Sequence, residues 1–192
     1  MRPRVTSRGH IDRVALELFL ARGYDQVTTA ELIRACGISR PTFFRYVPTR
    51  EALVLDHIAM FGQQVAAIVA ERTDEDAWVA LREAICEAVE TLDPHSSAGM
   101  AFRVLQSSPR IRSAALELTR VWRGQLTESL VAGAYFAGDE ERCEVAAAMA
   151  IGLFQMTWAR PRPRPAGLRR AFDDAQSVTR TTGTELNRRA SP

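Results

Sequence analysis

Apolar residues Ile11, Val14, Ala15, Leu18 and Phe19 fall at the i, i+3, i+4, i+7, i+8 spacing of one helix face, and Gly23 and Tyr24 close that helix. The next helix starts at Thr28. Its hydroxyl is placed to accept from the Glu31 backbone N–H while the Glu31 carboxylate reaches back, and Val27 and Leu32 hold the flanking staple positions. Gly37 supplies the left-handed residue that ends this helix after about Cys36. Ser39 then caps a third helix, stapled by Ile38 and Phe43, with Pro41 in the first turn, where a missing N–H costs nothing. Val47 and Pro48 close it about two turns later. A fourth helix starts at Thr49, its entry fixed by Pro48, and runs to near Arg72 with Leu53, His57, Met60, Phe61, Gln64 and Ile68 expected on one face.

Four more helices follow by the same period. One is expected from Asp74 to about Leu92, carrying Trp78, Leu81, Ile85 and Val89 inward and stopped by Asp93-Pro94. A short one from Ser97 to Gln106 presents Met100, Phe102, Val104 and Leu105. After Ser107-Ser108-Pro109 a single long helix is expected to near Ala132, through Ile111, Ala115, Leu118, Trp122 and Leu126. The helix from Asp139 to Trp158 is apolar on two faces, Val145, Met149, Gly152 and Met156 on one, Ala147, Ile151, Phe154 and Trp158 on the other. Beyond it, ARPRPRPAG favours extended polyproline structure, Leu168 to about Val178 a modest helix, and the polar stretch from Thr179 to Pro192 disorder. Almost no segment alternates with period two, so the fold class is all-α.

The third helix is too short to bury much. Phe43 and Val47 form its inward pair, which leaves Arg40, Thr42, Phe44, Arg45 and Tyr46 largely outward, a set that suits phosphates and base edges; ordinary packing of Phe44 and Tyr46 is the plainer alternative. On the fourth helix, His57 and Gln64 interrupt an apolar stripe beside Phe61, either lining a ligand cavity or as satisfied core or subunit-contact residues. Trp78, Met100, Phe102 and Trp122 are core by their spacing and candidate walls of a lipophilic pocket by their size. Arg103 is either the partner of an anionic effector or a surface arginine. Val145, Met149, Gly152 and Met156 mark the dimerisation candidate, since a helix apolar on two faces must be covered on two sides.

Charge sharpens this picture. Residues 1–50 hold nine Arg and four acidic residues, net +5; residues 51–160 hold nine against sixteen, net −7; residues 161–192 hold seven against three, net +4. A basic head on an acidic body is the footprint of a phosphate-binding surface. Arg2, Arg4 and Arg8 form an arm that either reaches a neighbouring phosphate or minor groove or is a solvated terminus. The 192 residues, 46% of them apolar, suffice for a real core. No uninterrupted apolar run approaches the ~20 residues of a membrane span, and Met-Arg-Pro-Arg leads into no signal core, so a cytoplasmic protein without membrane contact is expected. Cys36, Cys86 and Cys143 are odd in number and lack a C-x-x-C pair, which favours structural thiols over disulfides or zinc, with a redox sensor as the minor alternative.

The run ALELFLARGYDQVTTAELIRACGIS, then RPTFFRY, then Arg50, resembles the N-terminal domain of the TetR family of bacterial transcriptional repressors, over roughly residues 8–55. The resemblance implies a homodimer whose recognition helices enter successive major grooves of a palindromic double-stranded operator, and a C-terminal domain that binds a small molecule and releases the DNA. Carried over by position, Arg40, Pro41, Thr42 and Phe44 would face the bases, with Ser39 as cap. Thr28, Thr29, Arg45, Tyr46 and Arg50 would face phosphates. Many relatives have an aromatic residue followed by His where this chain has Arg45-Tyr46, which leaves the division of those two open. The resemblance also implies a dimer interface from the last two helices of each subunit; the final one is expected to be short or displaced here. From Phe102-Arg103-Val104 through Pro109 to Trp122 the body is similar to actinobacterial members with a TFFRY-type helix, which implies acyl-coenzyme A or another lipophilic effector.

Three regions are therefore expected: a helix-turn-helix DNA-binding domain of three helices at 1–50, a helical-bundle ligand-binding and dimerisation domain at 51–160, and an Arg/Pro-rich linker, short helix and tail at 161–192. Enzyme chemistry finds no support: His10, His57 and His95 lack metal-ligand spacing, no G-x-S-x-G or phosphate loop occurs, and neither a catalytic set, a metal nor a cofactor is expected. The rival class is a helical ligand-binding protein that has lost specific operator recognition.

Overall fold

The computed structural model describes residues 7–72, 76–158 and 165–189. Ten α-helices occur among them: α1 Arg8–Arg22, α2 Thr29–Cys36, α3 Arg40–Tyr46, α4 Ala52–Glu71, α5 Ala77–Glu90, α6 Ser97–Ser107, α7 Pro109–Ala114, α8 Leu116–Ala132, α9 Glu140–Trp158 and α10 Pro165–Arg189. The all-α class follows, with no strand among the described residues. Short 3-10 turns at Tyr24–Gln26 and Tyr135–Gly138 join neighbouring helices.

The chain forms two compact units, residues 1–64 with 91–122 and residues 65–90 with 123–192. In the first, α1 packs on α2 and on α6. Its core is built from Ile11, Leu16, Phe19, Leu32, Phe43, Val47, Leu53, Phe102 and Ile111, all essentially buried. Gly62 matters here, because a Cβ at that position would lie 2.0 Å from Nε1 of the Trp122 indole; only a residue without one lets the ring lie so close. In the second unit α10 packs on α5 and α9. Phe172 is fully buried, its ring 4.9 Å from that of Trp78, whose indole N–H donates to the Phe172 carbonyl at 3.3 Å. Arg82 pairs with Glu83 and Asp173, and Arg169 with Glu83 and Glu90, so ion pairs flank the apolar contact.

Several expectations change. The buried stripe of α4 is Leu53, Val54, Ile58, Phe61, Val65 and Val69, whereas Met60 and Gln64 are exposed and His57 and Ile68 are intermediate. This helix is apolar almost all round, with a mean hydropathy of 1.5, and half of that stretch is buried in the protein. By length and composition alone it would pass for a membrane span; Asp56 and His57 within it contact α1, as a core helix of a folded domain does. The single long helix expected from Pro109 is two, α7 and α8, parted at Ala115, where Leu118 N–H turns to the Ala115 carbonyl at 3.1 Å. The stretch from Thr179, expected to be disordered, continues α10 to Arg189, so the last helix is long rather than modest. Arg2, Arg4, Asp74 and the Arg-Pro repeat at 159–164 lie outside the described residues.

The three cysteines are free and buried, and burial pushes each thiol up, Cys86 to about 11. A thiol held protonated is a poor nucleophile, which disfavours the redox-sensor alternative.

Candidate nucleic-acid interface

The capping box forms as the sequence requires. Glu31 N–H donates to Thr28 Oγ1 at 3.3 Å, Thr28 N–H to Glu31 Oε2 at 2.8 Å, and the Thr28 hydroxyl to the same carboxylate oxygen at 2.8 Å. Arg22 closes on the other oxygen at 2.8 Å. The Thr28 backbone, then its hydroxyl, then Arg22 hold the Glu31 carboxyl at about 2. Thr28 thus spends its hydroxyl proton within α2, and Thr29 stands beside it half-buried. Gly37 takes φ +65° and ends α2 in the left-handed conformation that a Cβ would strain.

The turn delivers α3. Ser39 accepts from Thr42 N–H at 3.3 Å, and its hydroxyl also shares a hydrogen bond with that of Thr42 at 2.9 Å. Pro41 sits in the first turn as expected. Phe43 and Val47 are buried; Arg40, Pro41, Phe44 and Arg45 are exposed, and Thr42 and Tyr46 intermediate. Phe44 keeps 42% of its surface open although its ring meets Phe43 edge-on at 5.6 Å. The Arg40 guanidinium lies over the Phe44 ring at 5.4 Å, and that of Arg45 over Tyr46 at 5.1 Å. Cations resting on exposed aromatic faces lose fewer rotamers on meeting a phosphate than free side chains would.

Arg50 is tied more tightly than its position suggests. Its Nη1 donates to the Val27 carbonyl at 2.5 Å and its guanidinium stacks at 4.2 Å on Tyr24, a buried ring whose local sequence reads only as a helix stop. Next to it, burial pushes the Glu51 carboxyl up, but its own backbone N–H, Tyr24 and Arg110 outweigh this and hold it below its ordinary value. Arg110 of α7 pairs with Glu51 at 3.0 Å. Arg8, grouped with the N-terminal arm by the sequence, turns inward to Asp12 and Asp56.

The expected ligand residues fall in both units. Phe61 meets Phe102 at 4.9 Å and Trp122 at 5.8 Å, and Met100 is buried in the same unit. Trp78 belongs to the other unit, against Phe172. His57 places Nε2 3.3 Å from Asp12 Oδ2, at ion-pair distance but without hydrogen-bond geometry. Gln64 and Arg103 are exposed, because α4 and α6 turn neighbouring residues inward. An open groove of about 610 Å³ occurs in the second unit, lined by Trp78, Phe136, Arg142, Val145, Met149 and Gln176 among others. Phe136, under the Arg142 guanidinium at 5.1 Å, takes φ +53°, a left-handed conformation that nothing in its local sequence signals. On α9, Val145, Met149, Gly152 and Met156 are all exposed, and nothing lies within 4 Å of a Cβ built at Gly152. Ala147, Ile151 and Phe154 are buried on the opposite face. Among the described residues no three His, Cys, Asp or Glu side chains cluster as metal ligands would.

Residues 11–56 match the model of the family described as bacterial regulatory proteins, tetR family. The chain is 29% identical over 127 residues to the Mycobacterium tuberculosis protein named as the mycofactocin biosynthesis transcriptional regulator MftR, a stretch covering 64% of this chain and 63% of that protein. It is 33% identical over 66 residues to the HTH-type transcriptional regulator TcmR of Streptomyces glaucescens, covering 34% of this chain and 29% of TcmR. The shared stretch is under two thirds of either relative's length, and both are named as regulators, not enzymes. The fold is that of the TetR family regulator PfmR from Thermus thermophilus, with a TM-score of 0.55 and 20% identity over 88% of this chain and 95% of PfmR. The TetR family repressor AlkX from Dietzia, implicated in biodegradation of n-alkanes, gives a TM-score of 0.57 at 15% identity over 95% of this chain and 98% of AlkX. Over residues 11–56, which hold α2, the turn and α3, this chain is thus similar to the bacterial regulatory proteins of the tetR family.

Proposed function

We propose that the chain is a transcriptional regulator that binds a palindromic operator as a homodimer and represses until a small lipophilic effector releases it. The observation that carries this is α3: a capped two-turn helix with Phe43 and Val47 buried and Arg40, Phe44 and Arg45 left open, in a head of net charge +5. In this reading Arg40, Pro41, Thr42 and Phe44 meet base edges. Thr29, Arg45 and Tyr46 meet phosphates, joined by the Arg50 N–H groups not spent on Val27, whereas Thr28, whose N–H and hydroxyl both donate to Glu31, caps α2.

The homodimer is supported by the exposed apolar face of α9, where Gly152 leaves room for a helix backbone to approach. A lipophilic effector is supported by the groove walled by Trp78 and Phe136, which reaches the α9 face at Val145 and Met149 and so borders the proposed dimer contact. Acyl-coenzyme A is the effector to try first. Addition of a long-chain acyl-coenzyme A should raise the melting temperature and weaken operator binding; no change in either removes this effector class. Selection from randomised duplex DNA tests the function itself. The proposal expects a palindromic winner, and absence of any enriched sequence would return the chain to the class of ligand-binding proteins without an operator.

A further inference from the structure

The recognition helix has a weak foundation of its own. Seven residues long, it buries one of them, Phe43, with Val47 just beyond its end. Its N-terminus is fixed by the Ser39 cap, but the carbonyls of its last turn have no partners within the helix. Arg8 supplies one. The first residue of α1 donates from Nη1 to the Tyr46 carbonyl at 3.0 Å and from Nη2 to the Ala52 carbonyl at 3.1 Å, the two ends of the connection between α3 and α4. The same guanidinium is held from both sides by carboxylates, Nε to Asp12 Oδ1 at 2.7 Å and Nη2 to Asp56 Oδ2 at 2.8 Å. Asp12 is buried, and its other oxygen faces His57. One planar fork therefore joins three helices, with a positive charge at the C-terminal end of α3, where the helix dipole favours it.

We propose that Arg8 is a positioning residue for DNA recognition: it fixes the angle at which α3 leaves the head and is not itself a phosphate contact. Base readout demands tighter placement than phosphate contact does, so loss of the fork harms specific binding selectively. A phosphate-binding arginine has a different signature, because its removal lowers the dependence of binding on salt.

The test compares wild type, Arg8→Gln, Arg8→Lys and Asp56→Asn in the full chain, by binding to a selected operator and to an unrelated duplex across a salt series, and by hydrogen exchange of amides 40–52 in the free protein. Arg8→Gln is expected to lose about tenfold or more in operator affinity, to keep its unspecific affinity and salt slope, and to exchange faster across α3. Arg8→Lys keeps the charge without the fork and should fall between the two. Asp56→Asn, at a half-exposed anchor, should shift exchange and operator affinity the same way by less. A salt slope reduced by about one per Arg8 removed, with exchange unchanged, would overturn the proposal in favour of a phosphate contact. Wild-type affinity and exchange in Arg8→Gln would also overturn it, and so would wild-type behaviour of Asp56→Asn if Arg8→Gln fails to fold. The affinity readout rests on the DNA-binding reading and the exchange readout does not. A wild type that binds no duplex would therefore sink that reading, while the clamp stands or falls on exchange.

Discussion

At the scale of single residues the head separates side chains that hold α3 from side chains that α3 offers. Phe43 and Val47 hold; Phe44, 42% exposed four residues from Arg40, is offered. Phe44→Ala should therefore reduce operator affinity more than affinity for unrelated duplex. Arg45→Ala should reduce both, and lower the salt slope by about one for each phosphate no longer neutralised. Titrations of both variants on both duplexes would read this, and equal losses from the two mutants on all sequences would refute the division. Gly62 makes a separate prediction, on stability. A methyl group there meets the Trp122 indole at 2.0 Å, so Gly62→Ala should cost about 1–3 kcal/mol through overpacking. A denaturant midpoint shift at unchanged m would show it.

At the scale of elements, α2 and α3 could be drawn from the sequence to within a residue because their ends carry their own chemistry: Thr28 with Glu31, Gly37, Ser39 and Pro41 all do in the structure what those residue types do locally. The register of α4 could not be drawn the same way. Apolar residues surround that helix, so two stripes fit the period equally, and only packing selects Val54, Ile58 and Val65 over Met60 and Gln64. Long-range partners were hidden for a related reason: nothing local to Arg8 or Arg50 tells that they turn to Tyr46 or Val27. The capping box also sets a pH dependence. The folded Glu31 carboxyl lies at about 2 against an ordinary 4.5, so the ionised form favours the folded head. That stabilisation is complete above the unfolded value and is lost as pH falls through the folded one. Melting temperatures of wild type and Glu31→Gln should differ at neutral pH and converge as pH falls from about 5 to about 2. A gap that stays constant across that range would contradict the assignment.

At the scale of the whole molecule, the chain joins a basic, capped head to acidic helices that leave an apolar face uncovered. Both halves of the proposed function depend on pairing, since a two-fold operator is read by two heads whose centres lie on the order of 34–36 Å apart. A charge in the exposed face of α9 should therefore act at a distance. Met149→Glu is expected to shift sedimentation from dimer to monomer and to weaken operator binding while leaving the melting of the head unchanged. A dimer that persists in this variant would move the interface elsewhere. Whether two heads read one operator is decided by binding of the wild-type chain to the winning duplex, with stoichiometry and salt dependence determined together. Two chains per palindrome and an affinity that falls steeply as salt rises are expected. One chain per site, or an affinity indifferent to salt, would contradict that expectation.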